Sequence, residues 1–93
     1  MSKVAVLVTD FVEDVEYTSP VETLKDAGHT VTTISPEGKE KITGKHGTEI
    51  KVDKTINTVK PEEFDALLIP GGFSPDQLRS DENFVAFTKH FLL

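Results

Sequence analysis

Residues 3–9 carry five successive apolar side chains, Val4-Ala5-Val6-Leu7-Val8. A half-exposed strand alternates apolar with polar, so an unbroken run of this length predicts a central strand covered on both faces. A polar loop, Asp10 to Glu16, separates it from Ser19-Pro20-Val21-Glu22. There Ser19 can cap a helix, Pro20 suits its first position and Glu22 closes a capping box. Tyr17, Val21 and Leu24 share one face, and Gly28 supplies a left-handed stop, so this helix should end near Ala27. Thr30 to Ser35 is rich in β-branched residues and predicts a second strand, which makes a β-α-β unit with a right-handed crossover. Pro36-Glu37-Gly38 ends that strand.

Beyond it the pattern shortens. Lys41-Ile42-Thr43 and Glu49-Ile50-Lys51-Val52, separated by Gly44-Lys45-His46-Gly47, predict a small hairpin or edge excursion. Pro61-Glu62-Glu63-Phe64 reads as one helical turn leading into Asp65-Ala66-Leu67-Leu68-Ile69, a second apolar strand expected beside the first. Pro70-Gly71-Gly72 turns the chain, and Ser74-Pro75-Asp76-Gln77 repeats the cap, proline and acid/amide logic of Ser19. Asp81 can cap a further helix whose Phe84, Phe87, Thr88 and Phe91 form a stripe at spacings of three, four and seven. The order of elements predicts an open, mostly parallel α/β sheet, with residues 1–93 as the N-terminal portion of one such domain. The chain reaches Leu92-Leu93 where a β-α unit ordinarily returns to its sheet. An exposed strand edge and an uncovered Phe84/Phe87/Phe91 stripe are therefore expected to recruit another chain or to aggregate.

Composition narrows the functions. Sixteen acidic against ten basic residues give a net charge of −6, the opposite of the basic footprint that nucleic acid requires. No apolar run approaches the ~20 residues that span a bilayer, and Met1 runs into a strand at once, leaving no room for a secretory leader. The expected location is cytoplasmic. None of the 93 residues is cysteine, which removes disulfides, thiolate metal sites and a thiol nucleophile together. His29, His46 and His90 are scattered without metal-ligand spacing. Neither GxGxxG nor GxxxxGK occurs, and no serine lies in a GxSxG elbow, so no cofactor or metal is expected.

In open α/β sheets ligands bind beyond the carboxyl ends of the strands, and two loops there carry candidate chemistry. The first holds four carboxylates in seven residues: Asp10, Glu13, Asp14 and Glu16. Crowded like charges raise one another's pKa, which would make one of them a proton donor. The same loop also reads as a solvated acidic stretch favoured by a helix N-terminus. The second is Gly71-Gly72, whose missing side chains let backbone N–H groups approach a developing oxyanion; ordinary turn chemistry explains it equally well. No catalytic set closes within the chain.

Four segments in order, 12–20 (Val-Glu-Asp-Val-Glu-Tyr-Thr-Ser-Pro), 24–29 (Leu-Lys-Asp-Ala-Gly-His), 42–47 (Ile-Thr-Gly-Lys-His-Gly) and 64–72 (Phe-Asp-Ala-Leu-Leu-Ile-Pro-Gly-Gly), resemble the N-terminal half of the ThiJ/PfpI family. Residues 70–76 are similar to its bacterial general-stress branch. The resemblance implies a flavodoxin-like α/β sandwich related to class I glutamine amidotransferases. It also implies a nucleophilic cysteine on a strand-to-helix elbow that follows the helix beginning at Asp81. Glu16 matches the glutamate that hydrogen-bonds this cysteine, and Gly71 and Gly72 match the glycines lining the oxyanion side. Asp76 falls where peptidase-like members place an acid that orients a histidine of a neighbouring subunit, and Glu13 is a supporting candidate. The implied activity is cysteine-dependent hydrolysis of peptides or small carbonyl adducts in a homo-oligomer, dimer or hexamer. The alternative is a non-catalytic stress or binding protein that uses the same sheet for oligomerisation.

Overall fold

The computed structural model describes residues 1–91; the expectation placed on Leu92-Leu93 lies outside them. The strands are β1 (Lys3–Leu7), β2 (Thr30–Ser35), β3 (Lys41–Thr43), β4 (Glu49–Lys51), β5 (Lys54–Thr55) and β6 (Ala66–Leu68). The helices are α1 (Asp14–Asp26), α2 (Ser74–Leu78) and α3 (Glu82–His90), with single 3-10 turns at Ile56–Thr58 and Pro61–Glu63. Strands β5-β2-β1-β6 form one parallel sheet in that order, and β3 and β4 form the expected antiparallel hairpin. Val4 lies opposite Val31 on one side and Ala66 on the other, so the first apolar run is indeed the centre of the sheet.

The alternation of side chains along β1 feeds two cores. Val4, Val6 and Val8 pack with Val12, Tyr17, Val21, Ile42 and Ile50, the face covered by α1 and the hairpin. Ala5 and Leu7 pack with Ile34, Ile56, Leu78, Phe84 and Phe87, the face covered by α2 and α3. Burying each large apolar side chain contributes roughly 1.5–3 kcal/mol, so the two layers hold β1 from both sides.

Three expectations are corrected. Helix α1 begins at Asp14, not Pro20, and Pro20 sits inside it. A proline there cannot donate to the Glu16 carbonyl, one lost bond in a helix. The first turn is held instead by partners far along the chain: the Asp14 carboxylate binds the β3–β4 turn, and the buried Tyr17 hydroxyl lies 2.7 Å from Thr33 Oγ1. Ser74 is not a cap. It is fully buried, and its hydroxyl accepts the Thr9 N–H at 2.8 Å, tying α2 to the end of β1. The phenylalanine stripe is not uncovered: Phe84 and Phe87 are 2% and 3% exposed against the sheet, and Phe87 stacks on Phe64 and Phe91. Strand β6 lies beside β1 as expected, and it is only partly buried because it is the last strand at its side of the sheet among the described residues.

Other local signals act as read. Asp81 caps α3 by accepting the Asn83 N–H at 2.9 Å. Gly28, at φ +89°, lets the α1 carbonyls of Lys25 and Leu24 take the amides of Gly28 and His29.

Candidate functional site

Beyond the carboxyl ends of β1 and β6 the chain makes two loops that run against each other. Val12 and Gly72 form an antiparallel bridge; Glu13 N–H donates to the Gly71 carbonyl at 3.0 Å and Phe73 N–H to the Phe11 carbonyl at 3.1 Å. This pairing requires an unusual backbone on both sides. Phe11 is a non-glycine residue at φ +66°, and Gly72 lies at φ +88°. A Cβ on Gly72 would fall 2.5 Å from Glu13 N and 2.9 Å from the Phe11 carbonyl oxygen, so glycine is required by conformation and by space together.

Glu16, in the first turn of α1, reaches across this junction. Its Oε1 accepts the Gly71 N–H at 3.0 Å, and a Cβ on Gly71 would overlap that oxygen. The contact is solvent-exposed, which leaves the other carboxylate oxygen open to a ligand. Because Gly71 gives its amide to Glu16, Gly72 is the glycine whose N–H makes no hydrogen bond among the described residues.

The remaining carboxylates have separate partners. Asp10 Oδ2 lies 2.7 Å from Lys39 Nζ and its Oδ1 accepts the Thr43 N–H at 2.9 Å, while Gln77 Nε2 donates to its carbonyl at 2.7 Å. Glu13 is shared by His46 Nε2 at 3.0 Å and Lys45 Nζ at 3.6 Å. Asp14 accepts the amides of His46 and Thr48, both at 2.9 Å. The expectation that crowding raises these acids is therefore overturned for two of them. The Lys39 ammonium holds Asp10 below the ordinary carboxylate value, and hydrogen bonds from Thr48 and then His46 bring Asp14 down to about 2.

Of the residues singled out in the sequence, Glu13, Glu16, Gly71 and Gly72 meet in one junction. Asp76 does not join them through any hydrogen bond among the described residues. It is exposed on α2, with Arg79 Nη2 3.4 Å away. Asp14 and Ser74 were missed as organisers of the site. The Gly44-Lys45-His46-Gly47 turn was the available signal for Asp14, since its inward amides need an acceptor. No group of three or more His, Asp or Glu residues suited to a metal ion occurs among the described residues. No described helix is long and apolar enough to cross a membrane.

A parallel sheet layered by helices on both faces, with a glutamate locked to a glycine turn beyond its carboxyl ends, defines a flavodoxin-like α/β protein. The chain belongs to the DJ-1/PfpI family, whose model matches residues 2–93. It is 54% identical to the putative cysteine protease YraA of Bacillus subtilis over 90 residues, which are 97% of this chain and 53% of that protein. It is also 54% identical to general stress protein 18 of the same organism and 50% identical to protein/nucleic acid deglycase 2 of Escherichia coli, each over 97% of this chain and 53% of the relative. The chain thus spans about half the length of the curated relatives it matches. Among solved structures, oxidized Toxoplasma gondii DJ-1 superposes with a TM-score of 0.88 at 33% identity, over 97% of this chain and 50% of that one. A two-domain Anabaena variabilis protein with DJ-1/ThiJ/PfpI-like and ferritin-like domains superposes with a TM-score of 0.89 at 39% identity, over 95% and 26%.

Proposed function

We propose that these 93 residues form the acid and glycine side of a cysteine-dependent hydrolase pocket, acting on a peptide or a small carbonyl adduct. The reading rests on one observation above all, the Glu16 carboxylate held by the Gly71 amide at an exposed position beyond the carboxyl edge of the sheet. In this scheme a thiolate from polypeptide outside these residues attacks a carbonyl or hemithioacetal carbon. Glu16 holds or shares the thiol proton, and the free Gly72 N–H stabilises the developing oxyanion. Names printed for relatives, a putative cysteine protease and a deglycase, support this chemistry. By itself the chain supplies no thiol and is expected to show no turnover. Residues 1–93 are read as the N-terminal portion of one cytoplasmic domain that works in a homo-oligomer, where the exposed Asp76 orients a neighbour's histidine and Glu13 supports the pocket.

The second reading, a non-catalytic stress or binding protein, is favoured by the relative named general stress protein 18, whose name carries no reaction. A chimera separates the two. This chain replaces the matching half of Escherichia coli deglycase 2, and hydrolysis of methylglyoxal adducts is followed. Retained turnover that falls about 100-fold or more in Glu16→Gln supports the hydrolase pocket. A folded chimera in which Glu16→Gln has full activity refutes it.

A further inference from the structure

Asp14 takes no part in the Glu16–Gly71 contact, yet it is the acid most enclosed by its surroundings. Its side chain is buried, and the β3–β4 turn wraps around it. His46 N–H meets Oδ1 and Thr48 N–H meets Oδ2, each at 2.9 Å. The turn closes on itself through Gly44 N–H to the Thr48 carbonyl at 2.7 Å, and onto the pocket loop through Lys45 N–H to the Val12 carbonyl at 2.8 Å. A Cβ at Gly44 would lie 2.5 Å from Asp14 Cγ and Oδ1, so the turn sits too close for any side chain there.

What this turn carries is chemically distinct from its setting. In a chain of net charge −6, Lys45 and His46 are adjacent basic residues, both reaching Glu13. Lys45 Nζ also lies 5.6 Å from the centre of the exposed Phe73 ring, next to Gly72. A continuous series of contacts therefore runs from Asp14 through the turn to the wall of the glycine junction.

We propose that Asp14 is a positioning residue: by binding the amides of His46 and Thr48 it fixes Lys45 and His46 as a basic rim on the Glu16–Gly71 pocket. The inference rests on the pocket reading only for the name of what the rim borders; the clamp is a separate contact. The titratable residues beside Asp14 are Glu13 and Glu16 on its own segment and Lys45 and His46 on the turn it binds. Asp10 holds Thr43 at the end of β3. Since the carboxyl of Asp14 titrates at about 2, the clamp is present at neutral pH and is lost as the pH falls through that value.

The test is acylation of lysines by an N-hydroxysuccinimide acetate, read by mass spectrometry, together with amide spectra. In Asp14→Asn, Lys45 should label about tenfold faster, the factor expected when a hydrogen bond to a charged acceptor is lost. Lys3 and Lys25 should label at unchanged rates. In the unsubstituted chain the His46 and Thr48 amides should shift together on acidification and the shift should vanish in Asp14→Asn. Should that variant fail to fold, Gly44→Ala keeps the carboxylate, displaces the turn and predicts the same labelling. A folded variant of either kind with unchanged Lys45 labelling and unchanged turn amides overturns the proposal. Glu16→Gln should leave Lys45 labelling as it was, so failure of the pocket reading and failure of the clamp give different results.

Discussion

Gly71 and Gly72 are neighbours in one turn, yet alanine at each should have very unequal consequences. At Gly72 the φ of +88° puts an alanine in the left-handed region, which costs about 1–2 kcal/mol. Its Cβ would also meet the Glu13 nitrogen at 2.5 Å and the Phe11 carbonyl oxygen at 2.9 Å, both backbone atoms of the paired loop. Backbone cannot swing aside as a side chain does, and overpacking of this kind adds about 1–3 kcal/mol. Gly72→Ala should therefore lose roughly 2–5 kcal/mol, a fall of roughly 10 °C or more in melting temperature for a chain of this size. At Gly71 the atom in the way is Oε1 of Glu16, the end of an exposed, flexible side chain. Gly71→Ala should lose no more than about 1 kcal/mol, the net worth of one exposed hydrogen bond, while the Glu16 carboxylate leaves its place. Urea denaturation of the two variants gives the stabilities, and the Gly71-position amide shift reports the Glu16 contact. Equal destabilisation of the two variants, or a Gly71→Ala protein that keeps the Glu16 contact, would refute this account of the junction.

Three further outcomes follow from single contacts. Phe11 holds φ +66° with its side chain more than half exposed, so Phe11→Gly should stabilise the fold by about 0.5–1 kcal/mol, the relief of left-handed strain less the entropy of glycine; a loss in thermal unfolding would contradict it. Tyr17→Phe strands the buried Thr33 hydroxyl that lies 2.7 Å from the Tyr17 oxygen, and should cost about 1–2 kcal/mol by the same denaturation measurement. The lowered carboxyls of Asp10 and Asp14 contribute stability that is complete above the ordinary carboxylate value of about 4 and is lost as the pH falls below it, for Asp14 through about 2; urea midpoints measured from pH 6 down should decline in that window, and less steeply in Asp14→Asn.

What could be read from the sequence follows the range of the interaction that fixes each feature. The apolar run 4–8, the β-branched 30–35 and the glycine at 28 act through local propensity and periodicity, and the elements they predict are present. The start of α1 departs from the local signal of Ser19-Pro20 because that signal is outweighed by bonds from Asp14 to residues 32 and 34 positions away. Ser74 departs from its expected capping role for the same reason, since the Thr9 amide it serves lies 65 positions earlier. The Glu16–Gly71 contact spans 55 positions; the rule that ligand sites lie beyond the carboxyl ends of parallel strands brings the two loops to one edge, and the hydrogen bond between them is visible only in the fold. Charge crowding misled because proximity in sequence says nothing of partners. Asp10, Glu13, Asp14 and Glu16 each point to a different one, and two of the four are lowered rather than raised.

In the proposed function the junction of Glu16 with the glycine turn is a scaffold for thiol chemistry whose thiol lies outside these residues. Its most direct test is turnover by the purified 93-residue chain on methylglyoxal adducts and on peptides. Buffer background is expected on both substrates. Hydrolysis that survives purification and disappears in Glu16→Gln would contradict it.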